Sequence, residues 1–406
     1  MRNRPNNPFI KSTDIPDEYF CDREEETMSI IRLIENGNNV VLKSKRRLGK
    51  SSLLLHIFKQ PAIRKGYNTL YIDLMGTRDA REFIAETQRA FLDAGFTRSA
   101  RIAKQLPGFL QSLAVNLGAS LLSAPTDIPS TMLPQAAVQF TLDEVFSFLE
   151  KTGKPNLVVF DEFQQTTCYP EDMPAMLRKT IQQINNTRII FSGSNRRLLT
   201  HLFEDATQPF YKSAREINLD ILKQEPYSLF CRRMFKMYGK LLDDDAASLT
   251  YDIFANSTLS MQEVMNEVFA STSTGATAGR ESVLDAIGTI LRQKDGGFRE
   301  TLDRIENART RNTLRCIADL GIATGLTSTE ILRKYRLDNA SAVQNAIKYL
   351  TAPRVGLVTE IRPNYYRVED KFLELWLQSK AGLLDRRIDE SRSLLEKERA
   401  LLCSDR

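Results

Sequence analysis

Two short runs carry residue types able to do chemistry. Ser44-Lys45-Arg46-Arg47-Leu48-Gly49-Lys50-Ser51 follows the phosphate-loop pattern G-x-x-x-x-G-K-[ST], with Ser44 at the place of the first glycine. Backbone N–H groups of such a loop, with a helix N-terminus behind them, make a nest for anions. Gly49 leaves the backbone room to approach a phosphate. Lys50 has the reach for β- and γ-phosphates, the Ser51 hydroxyl can ligate Mg²⁺, and Ser52 opens the helix that follows. Downstream, Leu157-Val158-Val159-Phe160-Asp161-Glu162 is an apolar run ending in two carboxylates. Asp161 can hold the hydration shell of Mg²⁺, and Glu162 can orient and deprotonate an attacking water. Gly-Lys-Ser alone is a common pattern, and the carboxylate-ended run is what gives it weight. A third run, Ile189-Ile190-Phe191-Ser192-Gly193-Ser194-Asn195, ends in small polar residues, with Ser194 where a γ-phosphate sensor would sit.

These residues need a scaffold that brings strand ends together. Asn39-Val40-Val41-Leu42, Tyr67-Asn68-Thr69-Leu70-Tyr71-Ile72-Asp73, residues 156–160 and residues 188–191 are short apolar runs bounded by turn residues. Runs of this kind fit buried parallel strands. Helical segments at 51–58 and 142–150 lie between them, so the first half reads as an α/β layer with a parallel sheet and helices on both faces. After Leu219 the pattern turns helical, at 225–238, 260–270 and 281–291, with Gly296-Gly297 as the next boundary. Further helices are expected at 298–320, 328–335 and 341–350, then strands at 357–361 and 365–368 and a charged helical tail at 383–402.

Composition narrows the class. The chain has 406 residues, 42% hydrophobic and 26% charged, which excludes collagen-like and disordered readings. Lys plus Arg at 56 against Asp plus Glu at 51 leaves a formal +5, compatible with a local nucleic-acid site but too small to predict one. Five cysteines, an odd number without a close pair, argue against a disulfide framework, and two histidines make zinc an unpromising cofactor. No secretory signal is read at the N-terminus. The most apolar stretch, residues 109–124, is interrupted by polar residues and falls short of a spanning helix. The expectation is a reduced, cytoplasmic protein with no membrane partner.

The order helix, helix, helix, hairpin at 311–376 is that of a winged helix. Val343, Ala346, Ile347 and Leu350 recur at helical spacing and belong in a core. Ser341, Gln344, Asn345 and Lys348 form the opposite stripe, suited to base edges and phosphates, and Arg354, Arg362 and Arg367 flank the wing. Residues 301–380 hold 13 basic and 9 acidic side chains, a mild surplus for a DNA binder. Winged helices also dock proteins, so both partners stay open. Trp376 reads as core.

The chain resembles the archaeal-type ATPase family, in the STAND branch of AAA+-related P-loop ATPases. The resemblance rests on Cys21-Asp22-Arg23-Glu24-Glu25-Glu26, the Arg-Arg-Leu-Gly-Lys-Ser loop, Phe160-Asp161-Glu162-Phe163-Gln164, Ser192-Gly193-Ser194 and Pro209-Phe210-Tyr211. It implies an ATPase core of the additional-strand class at 1–219, a helical lid at 220–295, a winged-helix domain at 296–382 and a C-terminal helix at 383–406. It also implies that Arg23 lies near the nucleotide, and that the segment holding Ile15, Pro16, Tyr19 and Phe20 packs against base and ribose. Two departures stand out. Ser44 replaces the first loop glycine, and Lys212-Ser213-Ala214-Arg215 stands where the family often has Gly-Arg, so that either Arg215 supplies the guanidinium or the trans-acting arginine is absent. The expected function is a slow, Mg-dependent ATP-hydrolysing switch, monomeric or oligomeric according to nucleotide, whose state controls binding of double-stranded DNA. The alternatives are a nucleotide-gated scaffold for a partner protein and an oligomeric DNA motor.

Overall fold

Five strands, β1 (Val40–Ser44), β2 (Asn68–Asp73), β3 (Asn156–Asp161), β4 (Thr187–Gly193) and β5 (Arg215–Leu219), form one sheet in the order β2-β3-β4-β1-β5. Every pairing is parallel. The strand after the carboxylate-ended one therefore inserts between it and the loop strand, which is the additional-strand arrangement. The computed structural model describes residues 4–94, 135–352 and 354–403. The interrupted apolar stretch at 109–124 lies outside the described residues. Among those described, no helix is long and apolar enough to cross a membrane.

Both faces of the sheet are covered. Val41, Val158, Phe160, Ile189 and Phe191 are buried on one side together with the helices Gln135–Glu150, Met173–Ile181 and Arg196–Glu204. Their neighbours Val40, Leu42, Leu157, Val159 and Ile190 are buried too. Burial on both faces is why these strands read as continuous apolar runs rather than alternating ones. The first face is dominated by rings: Phe191 lies 4.7 Å from Phe163, 4.9 Å from Phe210 and 5.1 Å from Phe203, centroid to centroid.

Two strands depart from the expectation. β1 runs on through Lys43, a buried lysine that the apolar pattern did not admit; its ammonium is met by Thr200 Oγ1 at 2.9 Å, Glu216 Oε2 at 2.9 Å and Glu204. Paired in this way, the buried charge is tolerable. β5 was not expected at all. It is an edge strand, Arg215-Glu216-Ile217-Asn218-Leu219, and only Leu219 is fully buried, so it lacks the apolar signature of its neighbours.

The chain divides into two compact units, Ser12–Asp220 and Met1–Lys11 with Ile221–Arg406. The first eleven residues thus do not belong with the sheet, as the reading 1–219 had them. Phe9 carries them into the second unit, where its ring lies 5.7 Å from Phe235 and 6.0 Å from both Phe230 and Phe269. From Ile221 on, the expected lid, winged helix and C-terminal helix share that unit. Gly296-Gly297 does not break the chain there. Both glycines sit inside the helix Arg280–Asp303, whose buried stripe Val283, Ile287, Ile290 and Leu302 outweighs the roughly 0.5–1 kcal/mol that each glycine costs. The break falls just after it, where Asn307 caps the helix Ala308–Leu320 by accepting from Arg309 N at 2.8 Å.

The helices Ala308–Leu320, Thr329–Lys334 and Ala340–Thr351 are followed by an antiparallel hairpin, Val358–Arg362 with Tyr365–Val368, as a winged helix requires. Trp376 is 5% exposed and donates its indole N–H to Asp295 Oδ1 at 2.9 Å, so it is a core residue. Replacing the central ring of the aromatic face, Phe191→Ala, should cost about 3–5 kcal/mol. Urea unfolding followed by circular dichroism measures this, and a loss below about 1 kcal/mol would mean that the ring cluster does not hold the sheet.

Candidate functional site

The loop between β1 and the helix Lys50–Lys59 is held by backbone geometry. Ser44 is the last residue of β1 and lies outside the left-handed region, so a side chain fits where the pattern has glycine. Its hydroxyl is buried without a partner. Positive φ is used later in the loop, by Arg47 at 64° and Gly49 at 82°. Gly49 has no side chain to cap the helix, which leaves the first-turn N–H groups facing the loop. Leu48 is buried, Lys45, Ser51 and Ser52 are half-buried, and Arg46 and Arg47 are exposed.

Lys50 and the carboxylates of β3 form the charged centre. One strand lies between β1 and β3, so the loop and Asp161 start about 10 Å apart and side chains must close the distance. Lys50 does so, pairing with Asp161 Oδ1 and with Glu162 Oε1 at 3.1 Å, though it is only 6% exposed. Ser51 Oγ donates to Asp161 Oδ2 at 2.6 Å, and Tyr71 OH donates to the same oxygen at 2.5 Å. Burial opposes ionisation of Asp161, but the Lys50 charge and the hydrogen bonds from Lys50, Ser51 and Tyr71 overcome it and leave the carboxyl below its ordinary range. Burial, reinforced by the Asp161 charge, pushes the Tyr71 hydroxyl up, so Tyr71 serves as a donor.

Glu162 sits at φ 55°, a left-handed conformation that a residue with a side chain adopts at a cost. Its Oε2 accepts from Ser194 Oγ at 2.7 Å and from Gln164 Nε2. Lys50, Ser51, Asp161, Glu162 and Ser194 are therefore gathered at one place. Sequence reasoning assigned no role to Tyr71 or Gln164. Gln164 was in plain view in the Asp-Glu-Phe-Gln run, whereas Tyr71 looked like one more apolar strand residue.

The donor set fits Mg²⁺. Ser51 and Asp161 offer two hard oxygens side by side, and among the described residues no group of three or more His, Cys, Asp or Glu side chains is placed to hold a metal by itself. An ion that keeps several waters and takes phosphate oxygens suits so sparse a site.

The arginines are distributed differently from expectation. Arg23, 5% exposed, places Nη2 at 2.6 Å from Asp220 O and 3.5 Å from Leu48 O, and Nη1 at 2.7 Å from Glu26 Oε1. It braces the loop's backbone. Arg215 pairs in register with Val40, at the start of both strands, whereas the loop follows Ser44 at their other end. Arg215 is therefore not brought to the loop of its own chain. Arg196, like Arg23, stands at the loop's end of the sheet, its Nη2 donating to Leu219 O at 2.9 Å. Tyr19 is buried, and Phe20 stacks on His56 with centroids 4.1 Å apart.

In the winged helix, Val343, Ala346 and Leu350 are buried and Ile347 half-buried, while Ser341, Gln344, Asn345, Lys348 and Arg354 are exposed. Ser341 and Asn345 line a cleft of about 740 Å³ whose other wall carries Arg304, Asn307 and Arg309. Arg362 is half-buried in the first strand of the hairpin. Arg367 must be withdrawn from the surface set. Its side chain is 12% exposed and faces Glu398 at 3.3 Å and Glu369 at 3.9 Å, so its charge is spent inside the fold.

A family model described as an ATPase domain predominantly from Archaea matches residues 20–253, and one described as a probable winged helix domain matches residues 297–379. No curated protein matches the sequence. Among solved structures, the Walker-type ATPase of Pyrococcus abyssi is similar at 20% identity and a TM-score of 0.60, over 91% of this chain and 99% of that one. The ORC2 protein of Aeropyrum pernix, solved as ADPNP–ADP complexes, is similar at 14% identity and 0.53, over 92% and 98%. The ORC1 protein of the same organism, solved in complex with DNA, gives 13% and 0.52, over 94% and 98%. At these identities the likeness establishes the fold.

Lys50→Ala leaves Asp161 and Glu162 buried without their counter-charge and should destabilise the nucleotide-free protein by about 3–5 kcal/mol. Because Asp161 is depressed in the folded state, the wild-type advantage is full above its ordinary value of 3.8 and fades as the pH falls below that. Denaturant unfolding of both proteins across pH measures the gap, and a pH-independent gap would contradict the assignment.

Proposed function

The chain belongs to the family of ATPase domains found predominantly in Archaea, and from that premise we propose that it is a Mg-dependent ATP-hydrolysing switch whose nucleotide state controls a DNA-binding winged helix. The observation that carries the reading is Lys50 held by Asp161 and Glu162 together. The lysine of the phosphate loop is paired with both carboxylates at the end of β3. A bound triphosphate would compete for that lysine and free both carboxylates for chemistry.

Ser51 and Asp161 would hold Mg²⁺, which when bound neutralises charge on the phosphate oxygens. The loop amides and Lys50 bind and orient the β- and γ-phosphates. Glu162 accepts a proton from a water whose oxygen bonds to the γ-phosphorus. The bond from that phosphorus to the β,γ-bridging oxygen breaks, and ADP leaves with the electron pair. Ser194, hydrogen-bonded to Glu162, stands where it can report whether the γ-phosphate is present. Hydrolysis is slow and regulatory in this reading. Arg215 faces away from its own loop, so any role it has at a nucleotide is across a subunit boundary, in a nucleotide-dependent oligomer.

Three observations support DNA as the partner. Gln344, Asn345 and Lys348 share the exposed face of the third helix of the winged-helix fold. The cleft beside it adds Arg304 and Arg309 to Arg354 and Arg362. The Aeropyrum pernix ORC1 protein, similar in fold, was solved in complex with DNA. Phosphate contacts would position the duplex, while Gln344 and Asn345 would read base edges.

Glu162→Gln should retain ATP binding and lose turnover by about 100-fold or more, because the amide takes no proton. Wild-type hydrolysis by that variant would place the base elsewhere. For DNA, the measurement is duplex affinity against salt for the full chain with and without ATP. Lys348→Ala should reduce the salt slope by about one unit. Arg367→Ala should leave the slope unchanged and lower stability instead. Salt-independent affinity, or none in either nucleotide state, would remove DNA and favour a docked partner protein.

A further inference from the structure

Gln164 follows Glu162 by two residues, on the 3-10 turn Phe163–Cys168, and is 6% exposed. Its amide nitrogen donates to Glu162 Oε2, the oxygen that also accepts from Ser194. A carboxylate has no proton to give, so the nitrogen end of the amide must face it. The carbonyl end is then turned away, and Gln164 Oε1 is buried without a hydrogen-bond partner. Fold stability alone does not favour such a placement, because an unmet buried carbonyl costs free energy.

The structure goes further in keeping that carbonyl where it is. Gln164 Oε1 rests against Gly193, the last residue of β4, and a Cβ built on Gly193 would overlap it. The same Cβ would lie 3.0 Å from Leu199 Cδ1, so a side chain here would displace the ends of both Gln164 and Leu199. Gly193 is not among the glycines with positive φ, and its backbone could carry any side chain. Glycine at this position leaves the Gln164 amide where it lies.

We propose that Gln164, seated on Gly193, is a positioning residue that fixes the rotamer of Glu162, the general base of ATP hydrolysis. The proposal rests on the reading of Glu162 given above. Donation from Gln164 holds Oε2 in place. When Lys50 leaves Oε1 for the triphosphate, Gln164 and Ser194 become the groups that keep Glu162 aligned.

The test measures kcat, KM and ATP affinity of the full-length protein. Gln164→Ala removes the donor and should lower kcat about tenfold with ATP affinity retained. Gln164→Glu places a second carboxyl against the base and should lower kcat at least as far. Gly193→Ala should reproduce the Gln164→Ala phenotype with the glutamine intact. The double variant should be no worse than the poorer single one, since both changes break one contact. Wild-type kcat in both Gln164 variants, ATP affinity lost in step with kcat, or additive effects of Gly193→Ala and Gln164→Ala, overturns the proposal. Glu162→Gln separates the two layers. If it is inactive while the Gln164 variants turn over at the wild-type rate, the base stands and Gln164 falls. If it remains active, the reading of Glu162 itself has failed. Should Gln164→Glu not fold, Gln164→Ala and Gly193→Ala carry the same decision.

Discussion

The ammonium of Lys50, shared between Asp161 and Glu162, is the interaction on which the rest of the site depends. Three ionised groups with almost no access to water are stable only as a set, because each would be costly alone. That requirement is met across the distance that the sheet sets between the loop and the end of β3. It also explains the hydroxyls crowded around Asp161: Ser51 and Tyr71 satisfy lone pairs that a single lysine cannot reach. With one lysine against two carboxylates, the cluster carries a net negative charge.

Sheet order makes the cluster possible. With β4 between β1 and β3, the loop and the carboxylates stand far enough apart to leave room for phosphates, yet within reach of one lysine side chain. The inserted strand also brings its own end, Gly193 and Ser194, directly beside Glu162. The ring cluster behind these ends fixes their relative heights, since Phe160, Phe163 and Phe191 pack against one another, the first two flanking Asp161-Glu162 in the chain and the third lying two residues before Gly193. Apolar packing thus sets the geometry to which the polar groups conform.

Much of this was legible in the sequence because the chemistry sits at the ends of apolar runs, and apolar runs are what periodicity detects. The loop, the paired carboxylates, Ser194 and the three helices and hairpin of the winged helix all announce themselves in that way. What escaped did so for physical reasons. β5 is an edge strand with polar residues on most positions, so nothing marked it. Arg367 has the composition of a surface residue, and only the tertiary fold brings Glu398 to it from the C-terminal helix Ser391–Cys403. Gly296-Gly297 looked like a stop, but packing of the stripe on either side overrode two weak helix formers. Arg215 was placed by its distance along the chain from Pro-Phe-Tyr, which says nothing about which end of a strand it occupies.

Arg23 gives the loop a mechanical property. One guanidinium nitrogen serves two carbonyls, with a tight contact to Asp220 and a stretched one to Leu48. Asp220 is the last residue before the chain passes into the other unit. One side chain thus ties the backbone of the phosphate loop to the last residue before the chain leaves the sheet, so the loop and that exit point share a single tether.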